Sequence, residues 1–294
     1  MILINGCSFT AGDENWPIGF EGVGYTMYNS KDPLSYDVLN AGCGGSGNTI
    51  IRRKIFRFLN SPNYNNPMSN PNAIVDYALV QWSTIDRWDY PVFVSKDRAE
   101  TFPRMDSNPE RINKINYMHN GTDINGYAKD FFEKYYSVHG AVIDTLENIY
   151  HTQVYLKDMN IPYKMITIGN LMQMDVAINN LINVQTKSGN RGDYSMLKTK
   201  NILEQLEDFE DSFYEVNIIK ELLEKIDFSN FLFTDNNNIG GFGGGIIEWL
   251  TDNNESMYEN GFHPTLRQSE RFFDEFIWPN IKDDVEKNYI KINN

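Results

Sequence analysis

Two short segments, at opposite ends of the chain, hold residue types that do nucleophilic and acid–base chemistry. The first is Gly6-Cys7-Ser8-Phe9-Thr10-Ala11-Gly12. It follows the apolar run Ile2-Leu3-Ile4, which places Ser8 just past a predicted strand with its hydroxyl at the sheet edge. Glycines on both sides let the backbone turn sharply. The chain after Ser8 reads as the start of a helix whose N–H groups face the same spot. The plainer reading is a β-turn with a capping serine, because Gly/Ser turns are common. The second segment is Asn260-Gly261-Phe262-His263-Pro264-Thr265. Pro264 keeps a following helix from starting earlier and holds His263 extended. A loop histidine in such a place is more often exposed or structural than catalytic.

The elements that must position these residues are legible in outline. Residues 1–5 read as a buried strand ended by Gly6. Val38–Ala41, Tyr77–Gln81, Ile161–Ile168 and Phe231–Phe233 read as further strands. Helices are predicted from an Asn48 N-cap through Leu59, over Tyr127–Val138, Ala141–Met159 and Val216–Ile226, and after a Thr265 cap. Asn60–Asn72 is a loop, and Asp89–Asn125 has no clear period and reads as an irregular excursion. Strands alternating with helices predict an α/β fold: a parallel sheet with helices on both faces. Ligands of such folds sit at the carboxyl ends of the strands. The places to inspect are therefore those after residues 5, 41 and 81, and the loop before the last helix.

Composition narrows the classes. Of 294 residues 41% are hydrophobic, enough for a sizeable core. Twenty-six basic residues against 40 acidic give a net charge of −14, which argues against nucleic acid and anionic membranes as partners. The densest basic run is only Arg52-Arg53-Lys54. No signal peptide or transmembrane segment is expected. Cys7 and Cys43 cannot make a disulfide framework or a cysteine-rich zinc site. Neither a cofactor nor a metal is expected, and the sequence leaves the oligomeric state open.

Taken with the stretch Asn40-Ala41-Gly42-Cys43-Gly44-Gly45-Ser46-Gly47-Asn48, the two end segments resemble the SGNH (GDSL-like) hydrolase superfamily. They match its opening nucleophile block, its second block and its terminal block, in that order. Gln81-Trp82-Ser83-Thr84-Ile85-Asp86-Arg87 gives the chain a flavour similar to members found in bacteriophages. The resemblance implies a three-layer α/β/α sandwich of flavodoxin-like type and a serine esterase. Ser8 would be the nucleophile, His263 the base, and the N–H groups of Ser8 and Gly45 the oxyanion hole. The implied substrate is a small-molecule or glycan ester, for example an O-acetyl group on a carbohydrate. A phage product would act in the host cytoplasm or on the virion.

Two positions depart from the family. Its third block supplies an asparagine to the oxyanion hole; here Ser83 stands nearest, with Thr84 next. Its terminal block carries an aspartate three residues before the histidine; here that residue is Asn260. Loss of the corresponding acid costs about 10⁴ in turnover in a serine protease. Glu259, Asp252 and Glu255 are nearby substitutes. A catalytically weakened SGNH-fold binding or structural protein of a virion is therefore the alternative.

Other features weigh less. Gly240–Gly245 lacks the Lys-Ser/Thr of a phosphate loop and reads as a mobile flap or a surface loop. Phe242 in it, and Trp82 and Trp249, are candidate substrate-facing aromatics. His119, His139 and His151 show no metal spacing. Cys7 reads as a small packing residue. A nucleotide-binding protein using the Gly42–Gly47 turn with Arg52 and Arg53 is a third reading, lacking a ribose-binding acid. A core of this type takes roughly 200 residues. The chain is thus read as one domain, 1–294, with insertions near 89–126, 170–214 and 236–260. The net charge further predicts a substrate neutral or cationic near its ester.

Overall fold

A computed structural model describes residues 2–11, 38–42, 46–60, 75–85, 87, 89–93, 115–118, 137–172, 213–235, 240–255 and 264–293. Four parallel strands form the central sheet: β1 (Ile2–Asn5), β2 (Val38–Asn40), β3 (Tyr77–Trp82) and a strand numbered β6 (Tyr163–Thr167). Their order across the sheet is β2-β1-β3-β6. Ile2 pairs with Val38 on one side and with Tyr77 on the other, and Ala78 pairs with Tyr163. Every residue of β1 and β3 is buried, as expected of strands covered on both faces. A parallel bridge from Met165 to Phe231 adds a fifth position beyond β6. The order of these four strands agrees with the flavodoxin-like pattern, whose switch point lies between β1 and β3.

Alternation along the strands sorts the two faces. Asn5, Val80, Trp82 and Met165 share the face covered by α2 (Asn48–Asn60) and α3 (Val138–Asp158). The Asn5 side chain donates to the Ile51 carbonyl of α2, and Gln153 of α3 reaches Met165 Sδ. Helix α4 (Phe213–Lys225) packs against α3. The opposite face carries Ile2, Ile4, Tyr77 and Leu79, and the carboxy-terminal helices cover it. There the Tyr77 phenol, raised by burial, also feels the Asp284 carboxylate. These helices are α6 (Leu266–Phe272), a π-helical turn Phe273–Ile277, and α7 (Trp278–Asn293). The widened turn precedes Pro279, which lacks an N–H and crowds the Glu275 carbonyl. The result is a three-layer α/β/α sandwich with a parallel sheet, as the sequence predicts.

Several expectations change. Asp89–Asn125 is not wholly irregular: β4 (Tyr90–Phe93) and β5 (Ile115–Met118) pair antiparallel. Pro91 and the absence of alternation hid this pair of strands. Phe231–Phe233 makes a single bridge instead of a full strand. Helix α3 runs unbroken through Gly140 from an N-cap at Ser137, whose side chain accepts from the Gly140 N–H. The expected helix over 127–136 and most of the 170–214 insertion lie outside the described residues.

Candidate active site

At the carboxyl end of β1 the chain passes through Gly6 and Cys7 into the short helix α1 (Ser8–Ala11). Ser8 is thus the first helical residue after the strand, at the sheet's switch point. Gly6 is required by close approach: a Cβ there would lie 2.1 Å from Thr10 Oγ1 and 3.0 Å from Gln81 Cβ. The Thr10 hydroxyl donates to Gln81 Oε1 at 2.6 Å, which fastens α1 to β3. The Asn40 amide donates to the Thr10 carbonyl at 2.7 Å and accepts the Gly42 N–H at 2.9 Å. The ends of β1, β2 and β3 are therefore cross-tied through Thr10. Cys7 is buried and free, a packing residue.

The start of α2 is joined to the chain after β3. Asn48 Oδ1 accepts the Ser83 N–H at 2.8 Å, and Asn48 Nδ2 donates to the Ser83 carbonyl at 3.2 Å and to Thr145 Oγ1 at 3.1 Å. Asp89 takes the Gly47 N–H on one oxygen and the Ile50 N–H on the other, both at 2.9 Å. The helix N-terminus is therefore capped by Asp89, and Asn48 is not its side-chain cap. Burial pushes the Asp89 carboxyl up to about 6, opposed by those two N–H bonds and by Arg87, and supported by Asp144. An acidic cap here stands where the nucleotide reading needs a phosphate. Arg52, moreover, lies against His151 Nδ1 and the Phe56 ring.

Ser83 is fully buried, and its hydroxyl has no hydrogen-bond partner among the described residues. The same holds for the Ser46 hydroxyl, one residue before Gly47. Gly45, Asn260 and His263, and the substitute acid Glu259, lie outside the described residues. Chain order still sets His263 directly before the buried Pro264 and before Thr265. Thr265 caps α6 as expected, in a reciprocal box with Gln268.

Two candidate substrate contacts are corrected. Trp82 is wholly buried within β3, its indole N–H donating to Met165 Sδ at 3.3 Å. Phe242 is wholly buried too, edge-on to Phe228 and Phe231 with centroids 5.0 and 5.6 Å away. Among the described residues both side chains are spent on core packing. The glycine-rich stretch does not read as an open flap, because Gly241, Gly243, Gly244 and Gly245 are close-packed. A Cβ at Gly245 would lie 2.0 Å from the Thr167 carbonyl oxygen, and one at Gly243 2.8 Å from Phe233 Cβ. Gly240 and Gly241 adopt positive φ, 58° and 86°. The stretch leads into α5 (Ile246–Asp252).

Sequence reasoning missed Glu248 on α5. One of its oxygens accepts the Asn170 N–H and the other the Gly245 N–H. Burial raises its carboxyl, these N–H bonds oppose the rise, and Asp235 adds to it. It fixes the end of β6 to the start of α5. Trp249, half-buried, lies under the Arg271 guanidinium at 5.3 Å.

Comparison with protein families and with curated protein sequences finds no match. Among solved structures, a catalytic mutant of the acetylxylan esterase Axe2 from Geobacillus stearothermophilus is similar. The likeness covers 93% of this chain and 92% of that one, with a TM-score of 0.38 and 11% identity. Among the described residues no group of three or more His, Cys, Asp or Glu could hold a metal ion. No described helix is long and apolar enough to cross a membrane.

Proposed function

We propose that the chain is a serine ester hydrolase of the SGNH type, acting on an acyl ester such as an O-acetyl group on a carbohydrate. The observation that carries this reading is the place of Ser8. It opens α1 directly after β1, at the switch point of the β2-β1-β3-β6 sheet, with the third-block Ser83 just past the neighbouring strand. In this reading Ser8 Oγ attacks the ester carbonyl as His263 takes its proton. The tetrahedral oxyanion is held by the N–H groups of Ser8 and Gly45 and by the Ser83 hydroxyl. One such donor lowers the barrier by about 3 kcal/mol. His263 then protonates the departing alcohol, and water attacks the acyl-Ser8 ester to regenerate the serine.

A buried serine hydroxyl without a partner suits the donor role that an asparagine fills in the family. The test is hydrolysis of p-nitrophenyl acetate together with labelling by a fluorophosphonate. The parent should turn over and label at Ser8, and a folded Ser8→Ala variant should do neither. Equal turnover in that variant sinks the nucleophile assignment.

Asn260 favours a second reading, a binding or structural protein on the same fold with a weakened site. It lacks the charge that stabilises an imidazolium. A parent that neither labels nor hydrolyses any of a panel of esters supports that reading.

A further inference from the structure

We propose that Asn48 is a positioning residue that holds the Ser83 hydroxyl in place as an oxyanion donor; this rests on the esterase reading given above. The strand ladder stops at Trp82, whose carbonyl accepts the Ile168 N–H at 3.2 Å. Ser83 is the next residue, fully buried, and no strand partner is left for its backbone. A buried N–H and carbonyl must find other partners. Both go to one side chain, the Asn48 amide, at 2.8 and 3.2 Å.

The amide itself cannot turn. Its oxygen is identified by the Ser83 N–H it accepts, and its nitrogen is held also by Thr145 Oγ1 on α3. Asn48 is 2% exposed and is not occupied in capping its own helix, because Asp89 does that. With both backbone groups held, the Cα–Cβ direction of Ser83 is set. What is left over is its hydroxyl, buried and unpartnered among the described residues. A donor whose Cα–Cβ direction is set before the substrate arrives needs only a turn of its hydroxyl as charge develops, which lowers the reorganisation an oxyanion hole must avoid. A small misplacement of such a group costs up to about 100-fold. Asn48 lies 35 residues from Ser83 in sequence. It therefore joins the second block to the third, a link that neither block carries alone.

The test is a double-mutant cycle of Asn48→Ala and Ser83→Ala on p-nitrophenyl acetate hydrolysis, with amide hydrogen exchange read at Ser83. Asn48→Ala should lower kcat at least about tenfold with KM held within about twofold. In the Ser83→Ala background the same change should cost less than about twofold more. Protection of the Ser83 amide should fall. Asn48→Asp retains the acceptor for that amide but loses the donor to the Ser83 carbonyl, so it should keep more Ser83 amide protection than Asn48→Ala and recover only part of kcat. Penalties that multiply independently in an active, folded enzyme overturn the proposal alone, as does an unchanged Ser83 amide. A parent that neither hydrolyses esters nor labels at Ser8 overturns the esterase reading, and this proposal with it.

Discussion

The hydroxyl of Thr10 donates to the side-chain oxygen of Gln81 at 2.6 Å, and both side chains are buried. This bond ties the helix that begins with Ser8 to the central strand beside it. Thr10→Val removes the donor and keeps the shape. Gln81 Oε1 is then left buried without its partner, at a cost of about 1–3 kcal/mol. Gln81 Nε2 has no partner among the described residues to compensate. Urea denaturation should show that loss, and ester turnover should fall by more than the change in folded fraction explains. Thr10→Ser should recover most of both. An unchanged denaturation midpoint in Thr10→Val would refute the role given to this bond.

The Asp89 carboxyl gives a dependence on pH. Its folded value is pushed up to about 6, against about 3.9 for an unfolded aspartate. The folded state thus holds the proton more tightly than the unfolded one. The contribution is fully present below about pH 4 and is lost as pH rises through about 6. Two pKa units correspond to about 3 kcal/mol. Asp89→Asn removes this titration, so its unfolding free energy relative to the parent should rise across that window. The charged groups that face it are Asp144, which raises its carboxyl, and Arg87, which lowers it. Denaturation curves at pH 4, 5, 6 and 7 decide the matter, and a constant difference between the two proteins contradicts it.

Much of this is legible in the sequence itself. The apolar run Ile2-Leu3-Ile4 ended by Gly6, and the 3.6-residue stripe Val142, Leu146, Ile149, report local periods that the core enforces. Strand–helix alternation then fixed the sheet type. Tertiary choices were not readable. Asn48 looks like an N-cap from its neighbours, yet its amide goes to Ser83 and the cap comes from Asp89. Both partners are more than thirty residues away, and no local period encodes them. Glycines around Phe242 suggested mobility, because composition cannot show that neighbouring aromatics leave no room for a Cβ.

Phe242 separates a core role from a binding role. It meets Phe228, Phe231 and Phe233 edge-on. Phe242→Ala should destabilise the fold by about 3–5 kcal/mol, the usual cost of emptying an aromatic site in a core. Any KM measured on the fraction still folded at low temperature should match the parent. Phe242→Leu, which keeps most of the volume, should cost less. A raised KM with unchanged stability is the opposite result and restores Phe242 to the substrate cleft.

Arg271 ties α6, which follows the stretch that carries Asn260 and His263, to Glu255, which precedes it. Its guanidinium pairs with Glu255, the last described residue before that stretch. It also takes both oxygens of Glu275, at 2.9 and 3.2 Å, and lies over the Trp249 ring. A planar fork bound on two sides and stacked on an indole is not replaced by lysine. Arg271→Lys should therefore lower ester turnover, and Glu255→Gln should lower it in the same way. The double variant should be little worse than either single one, since both remove the same tie. Salt should reduce the parent's advantage, because the pair is partly exposed. Turnover of the two single variants equal to the parent, at low salt, would remove Arg271 from any part in holding the histidine-bearing segment.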